Sequence, residues 1–118
     1  MPPEVSVLVA TFRPGLDITL AGLRDQTFKD FEVILVDRRY ELRHEGVMAM
    51  AGLCGVPLIH VPEHRRNGKW QNIGSAWNTA MALARGRVII FFQDWQYASP
   101  GWIEAHLKRH EPGSRLYV

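Results

Sequence analysis

Three polar residues stand where short apolar runs of this sequence end. Thr11 follows Val5–Ala10, Asp37 follows Phe31–Val36, and Asp94 closes the run that begins at Arg87 and passes Phe92. Runs of this kind, rich in β-branched and aromatic residues, read as buried strands. In open α/β sheets, ligands bind outside the carboxyl ends of the strands, where the strand order reverses. A hydroxyl and two carboxylates on that edge suit a polar ligand. Trp95, next to Asp94, has an apolar, electron-rich face that either stacks on a ring of the ligand or plugs the core.

Missing motifs narrow the chemistry further. The sequence has no G-x-x-x-x-G-K-[ST], and Thr11-Phe12-Arg13-Pro14-Gly15 stands where a dinucleotide site would place G-x-G-x-x-G. Any nucleotide must therefore be held by side chains and a metal. His106 and His110 have the i, i+4 spacing of metal ligands, yet no H-E-x-x-H accompanies them, so they read as surface histidines of an amphipathic helix. Cys54 is a lone cysteine in an apolar helical stretch; it reads as a buried thiol and fits a reducing compartment. The net charge is +2 with histidines neutral, and no run of Lys or Arg exceeds two residues, which argues against a nucleic-acid partner. No apolar run approaches the roughly 20 residues that span a bilayer. Met1-Pro2-Pro3-Glu4 has no basic region followed by an apolar stretch. The expectation is a cytoplasmic domain.

The elements that position these residues follow from periodicity. Leu16, Leu20 and Leu23 predict a helix over Leu16 to Gln26, opened by the Pro14-Gly15 turn. Val47, Met50, Ala51 and Cys54 form the apolar stripe of a second helix, stopped by Gly55, with a third strand over Val56 to Val61. Pro62 to Lys69 reads as a polar loop. Ile73, Ala76, Trp77, Ala80, Leu83 and Ala84 form a third helical stripe, with Gly86 as its stop. Ser99-Pro100 suits the cap and first turn of a fourth helix running to about His110, and Leu116 to Val118 opens another strand. Trp70, Trp77 and Trp102 are expected to pack on the sheet. Strand and helix thus alternate four times, which predicts a Rossmann-like α/β fold with a mostly parallel sheet and helices on both faces. The chain's 118 residues fit one domain.

Several segments, in order, resemble family 2 glycosyltransferases. Val5-Ser6-Val7-Leu8-Val9-Ala10-Thr11-Phe12 resembles the family's opening V-S-V-I-I-P-T-Y. Gln26-Thr27-Phe28-Lys29-Asp30-Phe31-Glu32-Val33-Ile34-Leu35-Val36-Asp37 is similar to Q-T-Y-x-D-F-E-V-I-V-V-D-D. Ala76-Trp77-Asn78 with Ala82-Leu83-Ala84-Arg85-Gly86 is similar to A-R-N-x-G-x-x-x-A-x-G. Phe91-Phe92-Gln93-Asp94 with Pro100-Gly101-Trp102 resembles F-L-D-D-D-D-x-x-x-P-x-W.

The resemblance implies the first half of a GT-A fold, with residues 1–118 binding a nucleoside diphosphate sugar for inverting transfer to a hydroxyl of a glycan, lipid or other acceptor. By this likeness Thr11 and Asp37 line the base pocket, while Asp94 serves the ribose or a divalent metal, Mg²⁺ or Mn²⁺. Lys69, in the loop before the third helix, either reaches the diphosphate or is simply solvated. The catalytic base and acceptor half are expected beyond Val118, and the strand edge at Leu116 to Val118 could pair with a second copy of the chain. Two positions depart from the pattern. Asp37-Arg38-Arg39 replaces D-D-G, which opens a different base or an Arg38 contact to phosphate. Gln93-Asp94-Trp95-Gln96 carries one carboxylate where the family has several. A non-catalytic nucleotide- or carbohydrate-binding module is the rival reading. A receiver domain phosphorylated on Asp37 is a third, opposed by the lack of a carboxylate after the first strand.

Overall fold

The computed structural model describes residues 2–66, 69–70 and 73–109. Its elements are β1 (Val5–Thr11), α1 (Leu16–Arg24), β2 (Phe31–Asp37), α2 (Tyr40–Cys54), β3 (Leu58–Pro62), β4 (Arg65–Arg66), β5 (Lys69–Trp70), α3 (Ile73–Leu83), β6 (Val88–Gln93) and α4 (Trp102–Arg109). Four strands form one sheet in the order β3-β2-β1-β6, with every neighbouring pair parallel. The expected Rossmann-like α/β architecture is present. β4, inside the stretch expected to be a loop, and β5, which begins at its last residue, form a short antiparallel pair. No helix among the described residues is long and apolar enough to cross a membrane.

Register decides which side chains meet. Val5 pairs with both Phe31 and Val88, so β1, β2 and β6 alternate in phase. One face carries Val7, Val9, Val33, Leu35 and Ile90, and packs on Leu16, Leu20 and Leu23 of α1, Val47 of α2 and Ile103 of α4. The opposite face places Leu8, Ile34 and Val36 against Ala76 and Ala80 of α3. Each such aliphatic side chain contributes roughly 1.5–3 kcal/mol when fully buried.

Crossover handedness explains the split of helices. The chain steps from β1 to β2 to β3 with α1 and α2 on one face. It then returns to the far side of β1, so a right-handed crossover must carry α3 over the other face. The reversal falls between β1 and β6, which is the topological switch point of the sheet.

Two polar fasteners hold this frame. Ser6 and Glu32 are register partners on β1 and β2, and both are buried. Ser6 Oγ donates to Glu32 Oε2 at 2.6 Å, the Arg85 backbone N–H donates to the same oxygen at 2.9 Å, and the Arg85 guanidinium donates to Oε1. Burial pushes the Glu32 carboxyl up, but these donors outweigh it and hold the group below its ordinary value. Gly86 N–H donates to Ser6 Oγ at 2.8 Å, bringing the end of the α3 segment against β1.

The second fastener corrects the expected start of α4. Ser99-Pro100 does not open the helix, which begins at Trp102. The Ser99 carbonyl accepts from Trp102 N–H, and the Ile103 N–H is capped by Oε1 of the buried Gln26 at 3.0 Å. Gln26 Nε2 donates in turn to the Ser99 carbonyl at 2.7 Å. A distant side chain thus does what the Ser99 hydroxyl was expected to do. His110 and the expected strand at Leu116 to Val118 lie outside the described residues.

Glycine is required where the backbone closes on β1. A Cβ at Gly86 would stand 2.5 Å from Ser6 N and 2.7 Å from Val5 C, whereas one at Gly46 on α2 meets nothing within 4 Å. Gly86→Ala is therefore expected to lose about 1–3 kcal/mol in urea unfolding. Gly46→Ala is expected to gain about 0.5–1 kcal/mol in the same measurement from helix propensity.

Candidate functional site

A cleft of about 320 Å³ opens at the switch point. Thr11, Phe12 and Arg13 enter it from the exit of β1, Arg38 and Glu63 from the exits of β2 and β3, Trp77 from α3, and Gln93 and Asp94 from the end of β6. A neighbouring cleft of about 570 Å³, lined by Arg39, Tyr40 and Leu42, shares Arg38 and Glu63 with it. Those two residues form an ion pair at 2.7 Å, and the Arg38 guanidinium lies 5.4 Å from the centre of the Phe12 ring.

Beneath the cleft runs one continuous polar network. Asp37 is fully buried, and both of its oxygens are occupied. Oδ1 accepts from Arg39 N–H and from Arg43 Nη2, each at 2.8 Å. Oδ2 accepts from Arg43 Nε at 2.6 Å and from His60 Nε2 at 2.9 Å. Because an ionised carboxylate only accepts, His60 carries its proton on Nε2. With a neutral His60 ring, its Nδ1 accepts from His44 Nδ1–H across 2.8 Å. Burial pushes the Asp37 carboxyl up, but the hydrogen bonds from His60, Arg43 and Arg39 prevail and lower it from 3.8 to about 2.

The network continues from Arg43 to Asp94. Arg43 Nη1 donates to the Arg13 carbonyl at 2.8 Å, and Nη2 reaches Thr11 Oγ1 at 3.4 Å. Thr11 Oγ1 donates to Asp94 Oδ2 at 2.7 Å. Arg13 grips the same carboxylate with Nη2 on Oδ1 at 2.5 Å and Nε on Oδ2 at 3.3 Å. Two aspartates and two arginines are thus linked through one threonine.

The turn after β6 is clasped to the loop after β1. Trp95 has φ 64°, a left-handed conformation that costs a non-glycine residue about 1–2 kcal/mol. Its indole N–H donates to the Pro14 carbonyl, and the Arg13 guanidinium lies 5.0 Å from its ring centre. Gly15 makes room for the indole, since a Cβ there would come within 2.8 Å of Trp95 Nε1.

Of the residues singled out in the sequence, Thr11, Arg38 and Asp94 line the cleft. Asp37 lies below it with no exposed surface and acts through Arg43. Trp95 stands half exposed at the rim, beside Arg13. The Lys69 side chain is outside what the structure describes. Trp77 joins the cleft wall and meets Phe91 edge-on at 5.2 Å, while Trp102 packs on Phe92. Sequence reasoning missed Arg13, Arg43, His60 and Glu63. For His60 a signal existed: strand phase puts position 60 beside Leu35, on the same face as Asp37.

The side chains around Asp94 do not fit a divalent cation. Both of its oxygens are committed to Arg13 and Thr11, and a guanidinium stands where the cation would need to approach. Glu63, the other carboxylate of the cleft, is paired with Arg38. Among the described residues no group of three His, Cys, Asp or Glu side chains is placed to hold a metal.

An open parallel sheet with a polar cleft at its switch point defines an α/β protein of the Rossmann-like class. The model of glycosyl transferase family 2 matches residues 6–118, and the chain belongs to that family. Among solved structures it is similar to the crystal structure of S. aureus TarS 1-349, with a TM-score of 0.73 and 19% identity over 89% of this chain. That match shows the fold, and the chain spans 31% of the TarS structure's length. None of the curated proteins matches the chain.

The Asp37 network makes a pH prediction. A folded-state value near 2 against an ordinary 3.8 means the group stabilises the fold above about pH 4, and that this contribution, about 2 kcal/mol, is lost as pH falls toward 2. Urea midpoints of the native chain should fall through that window, and Asp37→Asn should flatten the fall. Arg43→Ala leaves Asp37 buried without its main partner and should cost about 3–5 kcal/mol at neutral pH.

Proposed function

We propose that the cleft at the switch point binds a nucleoside diphosphate sugar and that the chain serves inverting transfer of the sugar to a hydroxyl acceptor. The observation that carries this reading is the meeting of Thr11, Arg13, Arg38 and Asp94 in one cleft at the switch point in a chain of this family. Phe12 and Trp77 give the cleft apolar surface for a base or sugar ring, and the arginines give it donors for phosphate oxygens.

In an inverting transfer the acceptor oxygen attacks the anomeric carbon as the bond to the diphosphate breaks. The attacking hydroxyl loses its proton to a base, and the leaving diphosphate gains negative charge. Asp94 and Glu63 are both engaged with arginine, so neither suits the role of base in this cleft. The base of such a transfer must therefore be a group other than these two.

A binding module without turnover is the second reading, and the arginine-engaged Asp94 favours it. Isothermal titration of the chain with UDP, GDP and their sugars is expected to show binding at about 10⁻⁴ M or tighter for one nucleotide series. Silence from every nucleotide would sink the donor-site reading. Consumption of a donor sugar by the protein, lost in Asp94→Ala, would dismiss the module reading. The anomer produced, read by NMR coupling constants, is expected to be inverted relative to the donor.

A further inference from the structure

We propose that the cation facing the diphosphate in this cleft is the guanidinium of Arg13, held in place by Asp94, and that nucleotide binding here needs no divalent metal. This rests on the donor-site reading above.

Asp94 is the carboxylate at the end of β6, and its side chain is 7% exposed. Its two oxygens already accept three hydrogen bonds, two of them from Arg13. For a metal to reach Asp94, a two-pronged ion pair would have to break. The displaced guanidinium, tied by its own backbone to Arg43, would then stay near the incoming cation as a like charge. The neighbours on either side of Asp94, Gln93 and Trp95, offer no replacement carboxylate.

Arg13 itself is built to receive an anion. Its Nε–Nη2 edge faces Asp94, while Nη1 makes no hydrogen bond among the described residues. The Nη1–Nη2 edge is therefore a second fork, whose parallel N–H groups match two phosphate oxygens. The Arg13 side chain is 43% exposed and lines the cleft. Three contacts orient its plane: Asp94 on one edge, the Trp95 ring 5.0 Å from its centre, and the Arg43 hydrogen bond to its carbonyl. The Asp94 hydrogen bond also raises the Arg13 pKa above its ordinary value, so the charge is permanent. Arg38 brings a second guanidinium to the same cleft. Asp94 is thus a positioning residue for Arg13, a role that needs no second carboxylate beside it.

The test is isothermal titration of the full chain with UDP, GDP and inorganic pyrophosphate, in buffer with EDTA and in buffer with Mn²⁺. The nucleotide that binds is expected to do so with dissociation constants within about threefold of each other in the two buffers. Arg13→Ala should weaken binding about tenfold or more in EDTA, and Arg13→Lys should fall between, because the ammonium keeps the charge and loses the fork. Asp94→Asn should weaken binding less than Arg13→Ala, and equally in both buffers. Binding that appears only with Mn²⁺, is abolished by Asp94→Asn and ignores Arg13→Ala would overturn the proposal while leaving the donor site standing. Absence of binding in both buffers would overturn the donor site and this proposal with it. The comparison of buffers uses the native chain, so it holds even if a variant fails to fold.

Discussion

The site depends on the burial of one charge. Asp37 ends the central strand β2 with no exposed surface, and an ionised carboxylate there is tolerable only if every oxygen finds donors. Arg43 supplies two of them from the second turn of α2. The same guanidinium then has donors left for the Arg13 carbonyl and the Thr11 hydroxyl. A single side chain therefore fixes the exits of β1 and β2 relative to each other, and through Thr11 it reaches Asp94 after β6. This fastening matters the more because α2 holds few apolar anchors: Val47 and Ala51 are its buried residues, while Leu42 and Leu53 face solvent. The helix is seated by an ion pair at its start as much as by its apolar stripe.

Much of the fold was legible, because the sheet's central strands carry a signal that local structure cannot disguise. β1 and β2 are apolar on both faces, as a strand between two helical layers must be. The family's motif residues were equally visible, but the structure gives several of them a mechanical meaning. Ser6, Glu32, Arg85 and Gly86, drawn from three separate motifs, converge on one buried network at the amino edge of the sheet. Gln26 caps a helix that begins 76 residues later at Trp102, through the N–H of the next residue. In this chain such residues hold the frame, and their presence says little about the ligand.

The candidate site was legible only in part, for a reason of reach. Thr11 and Asp94 stand at strand ends, and strand ends can be read from hydrophobic runs. Arg13 and Arg43 act at the far end of long flexible side chains, on partners that the sequence does not place beside them. The exposure of Asp37 was hidden for the same reason. As a strand-end carboxylate it is indistinguishable in sequence from Asp94, yet one is sealed under Arg43 and His60 while the other borders open space.

That difference shapes what the cleft can recognise. Its charged lining is balanced, Arg13 against Asp94 and Arg38 against Glu63, so long-range attraction for an anion is weak. Selection must then come at short range, from donors whose directions are set before the ligand arrives. A planar guanidinium gripped on one edge by a carboxylate and faced by an indole is such a donor, because its ordering cost is met in folding and not again in binding. On the proposed reading, the carboxylates of this edge serve recognition without touching the ligand, by aiming arginine.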